Sequence, residues 1–464
     1  MRVDRGFTNV MVLSWGFMLV FTAFQTMGNI EKKVLASIQE DEPSFNGDGY
    51  VSLCIIYGTF SLFNWLAPSF ISVTGPRTSI VVGCSCYVLF IATFLYPRTE
   101  LLYIASVLVG IGAALAWTGH GLFLTINSDE ETMSRNSGLF WAIFQSSLFV
   151  GNVFVFVTFK SGRISESQRS LVFKVLTAVS SLGLLLLAFG LRKPPQQVDL
   201  GPAEGVSSAD KELRIPEAPK QPPLVAAWWA LAEAFRIFFT ARMMLLALMF
   251  VYTGLALTFL SSVYSSSISF TEAFGEDRNS LIGMSGFCVG LGEVVGGAIF
   301  GMLASKCGLF SGSPVVIMGF FVHSFAYLAA LLNLPDFIPS TDTDKEGLIS
   351  TSSTLAMAGS IALGLGDACF NTQVYALLGT IYAQDSASAF ALFKFCQSVA
   401  AASSFFYSNR VTLHGQLAIL TISMILGTCA FCYVEIKHRR SKRLCSTPCP
   451  ELDNDSGDHV LCSD

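Results

Sequence analysis

Apolar stretches of about twenty residues, each long enough to cross a hydrocarbon core of ~30 Å, recur along almost the whole chain. Twelve are drawn from the sequence: Phe7 to Thr26, Val51 to Val73, Thr78 to Tyr96, Leu101 to Ile126, Gly138 to Phe159, Ser170 to Leu191, Met243 to Val263, Leu281 to Ala304, Ser313 to Leu334, Thr354 to Gly379, Ala387 to Ser408 and Gly415 to Glu435. Composition agrees. Of 464 residues, 52% are hydrophobic and 13% charged, against roughly 25% charged in an ordinary soluble domain, and the mean hydropathy is +0.57. A water-soluble globule is excluded, and membrane lipid is the first partner. The first stretch is followed by no small-residue cleavage site, so it reads as a span and not as a signal peptide.

In such a chain the position of a charge matters more than the sum. A net charge of −5 with no continuous basic face makes nucleic acid no partner. Placing both termini in the cytosol puts about seventeen Lys and Arg inside and about nine outside, the bias that sets orientation. The first outer loop, Asn29 to Tyr50, instead carries Glu31, Glu40, Asp41, Glu42 and Asp48. Residues 192–240 break the apolar pattern. Arg192 to Gln221 is rich in Pro, Ala and charge and reads as a disordered linker, while Leu224 to Phe239 suits an amphipathic helix at the inner interface. The linker divides the chain into a six-span bundle over residues 1–191 and a second over 241–435. The tail, 436–464, is basic, then acidic, and reads as disordered. Its Cys445 and Cys449 are either palmitoylation sites or free thiols; Cys429 and Cys432, a lone CxxC inside a span, read as packing residues, so no metal or cofactor is expected.

The two bundles are duplicates. Span four contains Gly110-Ile-Gly112-Ala113 through Trp117-Thr118, span ten Gly364-Leu-Gly366-Asp367 through Asn371-Thr372, and both fit G-[IL]-G-x-A-x-x-x-T. In nearly the same phase one loop later come Phe144-Gln145-Ser146 and Cys396-Gln397-Ser398. Two matches in register make spans four and ten, and five and eleven, equivalent helices of parallel repeats. With these duplicated halves and a long central loop, the chain resembles the major facilitator superfamily from Phe7 to Glu435. The superfamily's gate, G-x-L-[AS]-D-[RK]-x-G, is matched by Gly301-Met-Leu-Ala-Ser305-Lys306-Cys-Gly308 with Ser305 in place of the acid; in the first half Gly75-Pro76-Arg77 remains, with Ser72 where the acid would stand. The resemblance makes Gly301, Lys306, Gly308, Gly75 and Arg77 gate candidates, though the missing acids argue against an acid–base latch. The runs Trp117-Thr118-Gly119-x-Gly121, Arg135, Ser137-Gly138-Leu139-Phe140-Trp141 and Gln145 to Asn152, together with Asn371-Thr372-Gln373, are similar to the UNC-93-like (uncoordinated) branch. That branch implies either a carrier or a partner in trafficking and channel regulation.

Ionisable side chains inside a span are costly, so they face a cavity or one another and become functional candidates. Glu293 in span eight, Asp367 in span ten and Lys394 in span eleven each lie about 20 Å below the outer end of the core at ~1.5 Å rise per residue. They share one level. Two readings stay open: a network opened by substrate or proton, or a fixed structural ion pair. Asp367 has Ala113 as its repeat counterpart, so its charge is not a requirement of the fold. Asn371 and Gln397 extend the polar surface at helical spacing, and Trp117, His120, Gln145 and Asn152 line the corresponding helices of the first half. His120 is either titratable or a hydrogen-bonded interface residue; His323 reads as structural. The many span glycines, among them Gly286, Gly290 and Gly297, read as close helix packing.

No GxSxG, P-loop or HExxH is present, and an enzyme is not expected. The expected fold is an all-α membrane protein of twelve transmembrane helices in two six-helix bundles around a central cavity. Two functions fit: a secondary carrier of an unknown small solute, or a non-transporting partner of another membrane protein.

Overall fold

The computed structural model describes residues 5–47, 49–129, 131–158, 165–192, 223–275, 278–304, 312–337, 343–408 and 410–446. Fifteen α-helices run in order: α1 Arg5–Asp41, α2 Gly49–Asn64, α3 Ala67–Thr74, α4 Pro76–Thr93, α5 Thr99–Ile126, α6 Met133–Thr158, α7 Glu166–Gly190, α8 Pro223–Phe238, α9 Ala241–Thr258, α10 Tyr264–Phe270, α11 Arg278–Ala304, α12 Ser313–Asn333, α13 Ser353–Ile381, α14 Ser386–Ser408 and α15 Leu413–Ser446. Eleven spans among them are long and apolar enough to cross a membrane, α9 and α10 forming one through the π-turn Phe259–Val263, and the bent pair α2–α3 makes a twelfth. Among the described residues, strand-like pairing is limited to one isolated bridge, Thr271 with Thr343. The fold is the expected helical membrane protein in two six-helix halves.

Burial repeats with a period of three spans. The first and fourth spans of each half (α1, α5, α9–α10, α13) are 61–67% buried, and the third and sixth (α4, α7, α12, α15) only 33–44%. The former therefore line the centre and the latter face lipid. The halves meet where α6 packs on α11 and α14 packs on α2 and α5. Small residues permit the closest approaches: a Cβ at Gly297 would strike the Ala142 backbone across the α6–α11 seam, and one at Gly364 the Val289 carbonyl across α11–α13.

Several bounds differ from the sequence reading, each for a physical reason. The helix of span one continues to Asp41, through residues expected to form a loop, because Val34, Leu35 and Ile38 bury an apolar stripe and Asp41 pairs with Arg169 at 2.6 Å. Span two is bent by 63° between α2 and α3; Pro68 in the first turn of α3 has no N–H to continue the ladder. Helix α15 runs on to Ser446, so the tail expected to be disordered from 436 begins as helix. An Arg439–Glu435 pair at 2.5 Å supports that extension. The linker to Pro222, the sequence beyond Ser446 with Cys449, and gate candidates Lys306 and Gly308 lie outside the described residues.

Helix α8 packs on α3 and α14. Phe235 stacks on Trp65, at the bend of span two, with centroids 4.5 Å apart, and Trp65 also meets Phe395 of α14 at 5.1 Å. Trp228 and Trp229 point outward, exposed. At its polar edge Arg236 pairs with Glu233 at 2.5 Å. Partial burial, then the Glu233 carboxylate, push the nearby Asp385 carboxyl above its ordinary range, with Arg236 opposing.

Both halves begin their third span alike. Gly75 (φ 80°) precedes Pro76, and Gly312 (φ 72°) precedes Ser313-Pro314, each a left-handed turn that favours glycine. Each start is tied to the end of its half's sixth span: Arg77 donates to the Ala188 carbonyl at 2.6 Å, while the Ser313 amide donates to buried Glu435 at 2.8 Å. Two gate candidates thereby acquire different readings. Arg77 serves as a tie within its half, and Gly75 takes the same place before its third span as Gly312 does before the other.

Candidate functional site

At the seam of the halves the three ionisable candidates come together. Glu293 on α11, Asp367 on α13 and Lys394 on α14 are all buried, with 0%, 3% and 5% of their surface exposed. Glu293 accepts a hydrogen bond at 2.5 Å from the indole N–H of Trp141 on α6, the other half of the molecule. Its carboxyl lies close to that of Asp367. Asn371, one turn on, donates to Asp367 at 2.8 Å.

Lys394 is held differently from a member of an ion-pair network. Among the described residues no ion pair within 4.0 Å involves it. Its ammonium donates to Gln397 at 2.7 Å and lies 4.5 Å from the ring centre of Trp117, 4.6 Å from Phe393 and 5.5 Å from Tyr375. Ring faces attract a cation by ~2 kcal/mol or more when desolvated. Asp367 adds a longer-range attraction.

Polar side chains extend the site along the repeat. Gln397 donates to Thr253 of α9 at 3.2 Å, and its counterpart Gln145 accepts from Gln25 of α1 at 3.2 Å, so in each half the fifth span is tied to the first by the same glutamine. Ser147 donates to Gln25 at 2.7 Å. Asn152 is half-buried, opposite Gly286 of α11 and away from the charges. Gly301 lies in the last turn of α11.

The two histidines contrast. His323 has both nitrogens engaged: Nε2 donates to the Leu363 carbonyl at 2.8 Å, which leaves Nδ1 to accept from Tyr252. His120 is fully buried, yet neither nitrogen has a hydrogen-bond partner. The expectation of a hydrogen-bonded interface histidine is therefore corrected. Its ring sits among aromatic rings, 3.9 Å from Phe140, 5.3 Å from Phe17 and 5.2 Å from Tyr375. Trp141 and Tyr375 were not singled out as site residues in the sequence. Their helical spacing was the available signal: Trp141 stands four before Gln145, and Tyr375 four after Asn371.

The family model for the ion channel regulatory protein UNC-93 matches residues 44–432. The chain belongs to the UNC-93 family. Within it, the chain is 44% identical to UNC93-like protein MFSD11 of Xenopus laevis, across 93% of this chain and 96% of that protein. It is 26% identical to protein unc-93 homolog A of Homo sapiens, across 93% and 94%. Among solved structures, the E. coli fucose:proton symporter FucP superposes with a TM-score of 0.61 over 92% of this chain and 98% of that one, at 14% identity. At that identity the likeness shows the fold alone, which for this UNC-93 chain is that of a major facilitator transporter.

Proposed function

We propose that this UNC-93 protein is a secondary carrier of a small solute, working by alternating access, with both termini in the cytosol and no enzymatic activity. The observation that carries this reading is where the buried charges make their contacts. Glu293 of the second half is held by Trp141 of the first, and Lys394 of the second lies on Trp117 of the first. Rocking one half against the other must remake both contacts. A binding surface that never moves has no need of desolvated charges at its central seam, each of which is expensive. The buried acids Glu293 and Asp367, side by side at the seam, would serve as the coupling element, and the FucP neighbour is a fucose:proton symporter.

The family description favours a second reading, a membrane partner that regulates another protein. The two separate in cells lacking the protein and re-expressing wild type, Asp367→Asn or Lys394→Ala at matched membrane levels. The carrier reading expects a solute whose cellular content changes on loss and is restored by wild type only. Identical profiles from all three, with a partner mislocalised on loss, would replace it by the regulatory reading.

A further inference from the structure

Resting on the carrier reading, we infer that the solute is a small organic anion, a carboxylate on an aromatic or apolar body, whose charged group docks between Lys394, His120 and Tyr375. These three side chains converge. Lys394 lies 5.5 Å from the Tyr375 ring, and the Tyr375 and His120 rings meet edge to face at 5.2 Å. All three are at least nine-tenths buried. The His120 nitrogens and the Tyr375 hydroxyl have no hydrogen-bond partner, and only one of the three ammonium hydrogens of Lys394 is engaged, by Gln397.

Lys394 has two free hydrogens to give and His120 and Tyr375 one each, so this donor-rich point suits a ligand group that accepts. A carboxylate fits that description, and charge-assisted bonds to it are the strong ones. An amine does not, because it would bring a second cation beside Lys394. The walls set the rest of the molecule. Phe17, Phe140, Phe393 and Phe390 ring the same point and have no hydrogen bonds to offer a sugar-like body.

Charge balance is met within the site. The Lys394 ammonium supplies the charge that balances the anion, with the buried Glu293–Asp367 pair close by. The other titratable groups facing that pair are Lys394 from α14, Tyr252 from α9, Tyr327 from α12 and Cys369 on α13.

The test uses three matched probes on the purified full-length protein, with thermal shift as the readout of binding: 3-phenylpropionate, its amide and 3-phenylpropylamine. The carboxylate is expected to raise the melting temperature and the others not. His120→Phe and Tyr375→Phe keep the rings and remove only unpartnered atoms. Each is expected to weaken carboxylate binding by about tenfold or more while the unliganded melting temperature stays or rises. A purely structural role for these atoms would leave binding unchanged in both variants and overturn the inference. Equal shifts with amide or amine would overturn the anion and leave the carrier standing. No shift with any probe, while cellular solute content still depends on the protein, would likewise overturn the solute class alone; no shift and no such dependence would remove both.

Discussion

Trp141 separates packing from hydrogen bonding at the seam, because phenylalanine there keeps the ring contacts to Phe144 and Tyr375 and removes the N–H on Glu293. Trp141→Phe is expected to destabilise the purified protein by ~1–3 kcal/mol, the range for a buried acceptor losing its donor, read as a lowered melting temperature. Asp367→Asn is expected to fold to wild-type levels, since the amide still serves Glu293 and Asn371 and the counterpart Ala113 is neutral, yet to alter solute content. Failure of that variant to reach the membrane would make the acid structural. Glu293, Asp367 and Lys394 were legible in the sequence because an ionisable residue in an apolar run stands out. Trp141 and Tyr375 were not, because this chain has 40 Phe, 12 Tyr and 6 Trp and one aromatic in an apolar run looks like another. Nor did sequence distinguish an ammonium held by rings from one held by a carboxylate, since Trp117, Phe393 and Tyr375 converge on Lys394 from three helices.

Helix α8 joins the halves at the termini face, with Phe235 on Trp65 of the bent second span and Phe238 toward Phe395 of α14. Trp65→Ala is expected to loosen it, and limited proteolysis should then cut next to α8 faster than in wild type; an unchanged digestion pattern would show that α8 is held elsewhere. The α11–α13 crossing has no such slack. Gly364→Leu drives a side chain into the Val289 carbonyl and is expected to abolish properly folded protein on size-exclusion chromatography, whereas Gly283→Ala, which meets nothing within 4 Å, is expected to be silent. The existence of these helices was legible from the apolar runs, but not their ends. Acidic composition hid the continuation of α1 past Gly28, where Val34, Leu35 and Ile38 form the buried stripe. The bend at Pro68 was hidden because proline is tolerated within a span when neighbours satisfy the freed groups.

At the scale of the whole molecule, duplication was readable from two short motifs in register, and the structure repeats it in places the sequence left blank: the left-handed glycines before each third span, and the ties of each third span to its sixth. Those ties have opposite chemistry, Arg77 to a carbonyl in one half and Glu435 to an amide in the other. No sequence motif would have paired them. Each half is thus braced internally, and the seam between them concentrates its polar contacts on Trp141–Glu293, Lys394–Trp117 and Ser61–Ser398. The carrier proposed for this chain requires movement as two bodies about these buried charges. Spin labels introduced as non-natural amino acids test that directly, one pair at Ser128 and Gln384 on the termini face, the other at Asn46 and Lys345 on the opposite face. Two distances in each pair are predicted, with the long distance of one pair populated when the other is short, and with populations shifted by Lys394→Ala. A single narrow distance in both pairs, unchanged by that substitution, would contradict a carrier whose halves rock about this site.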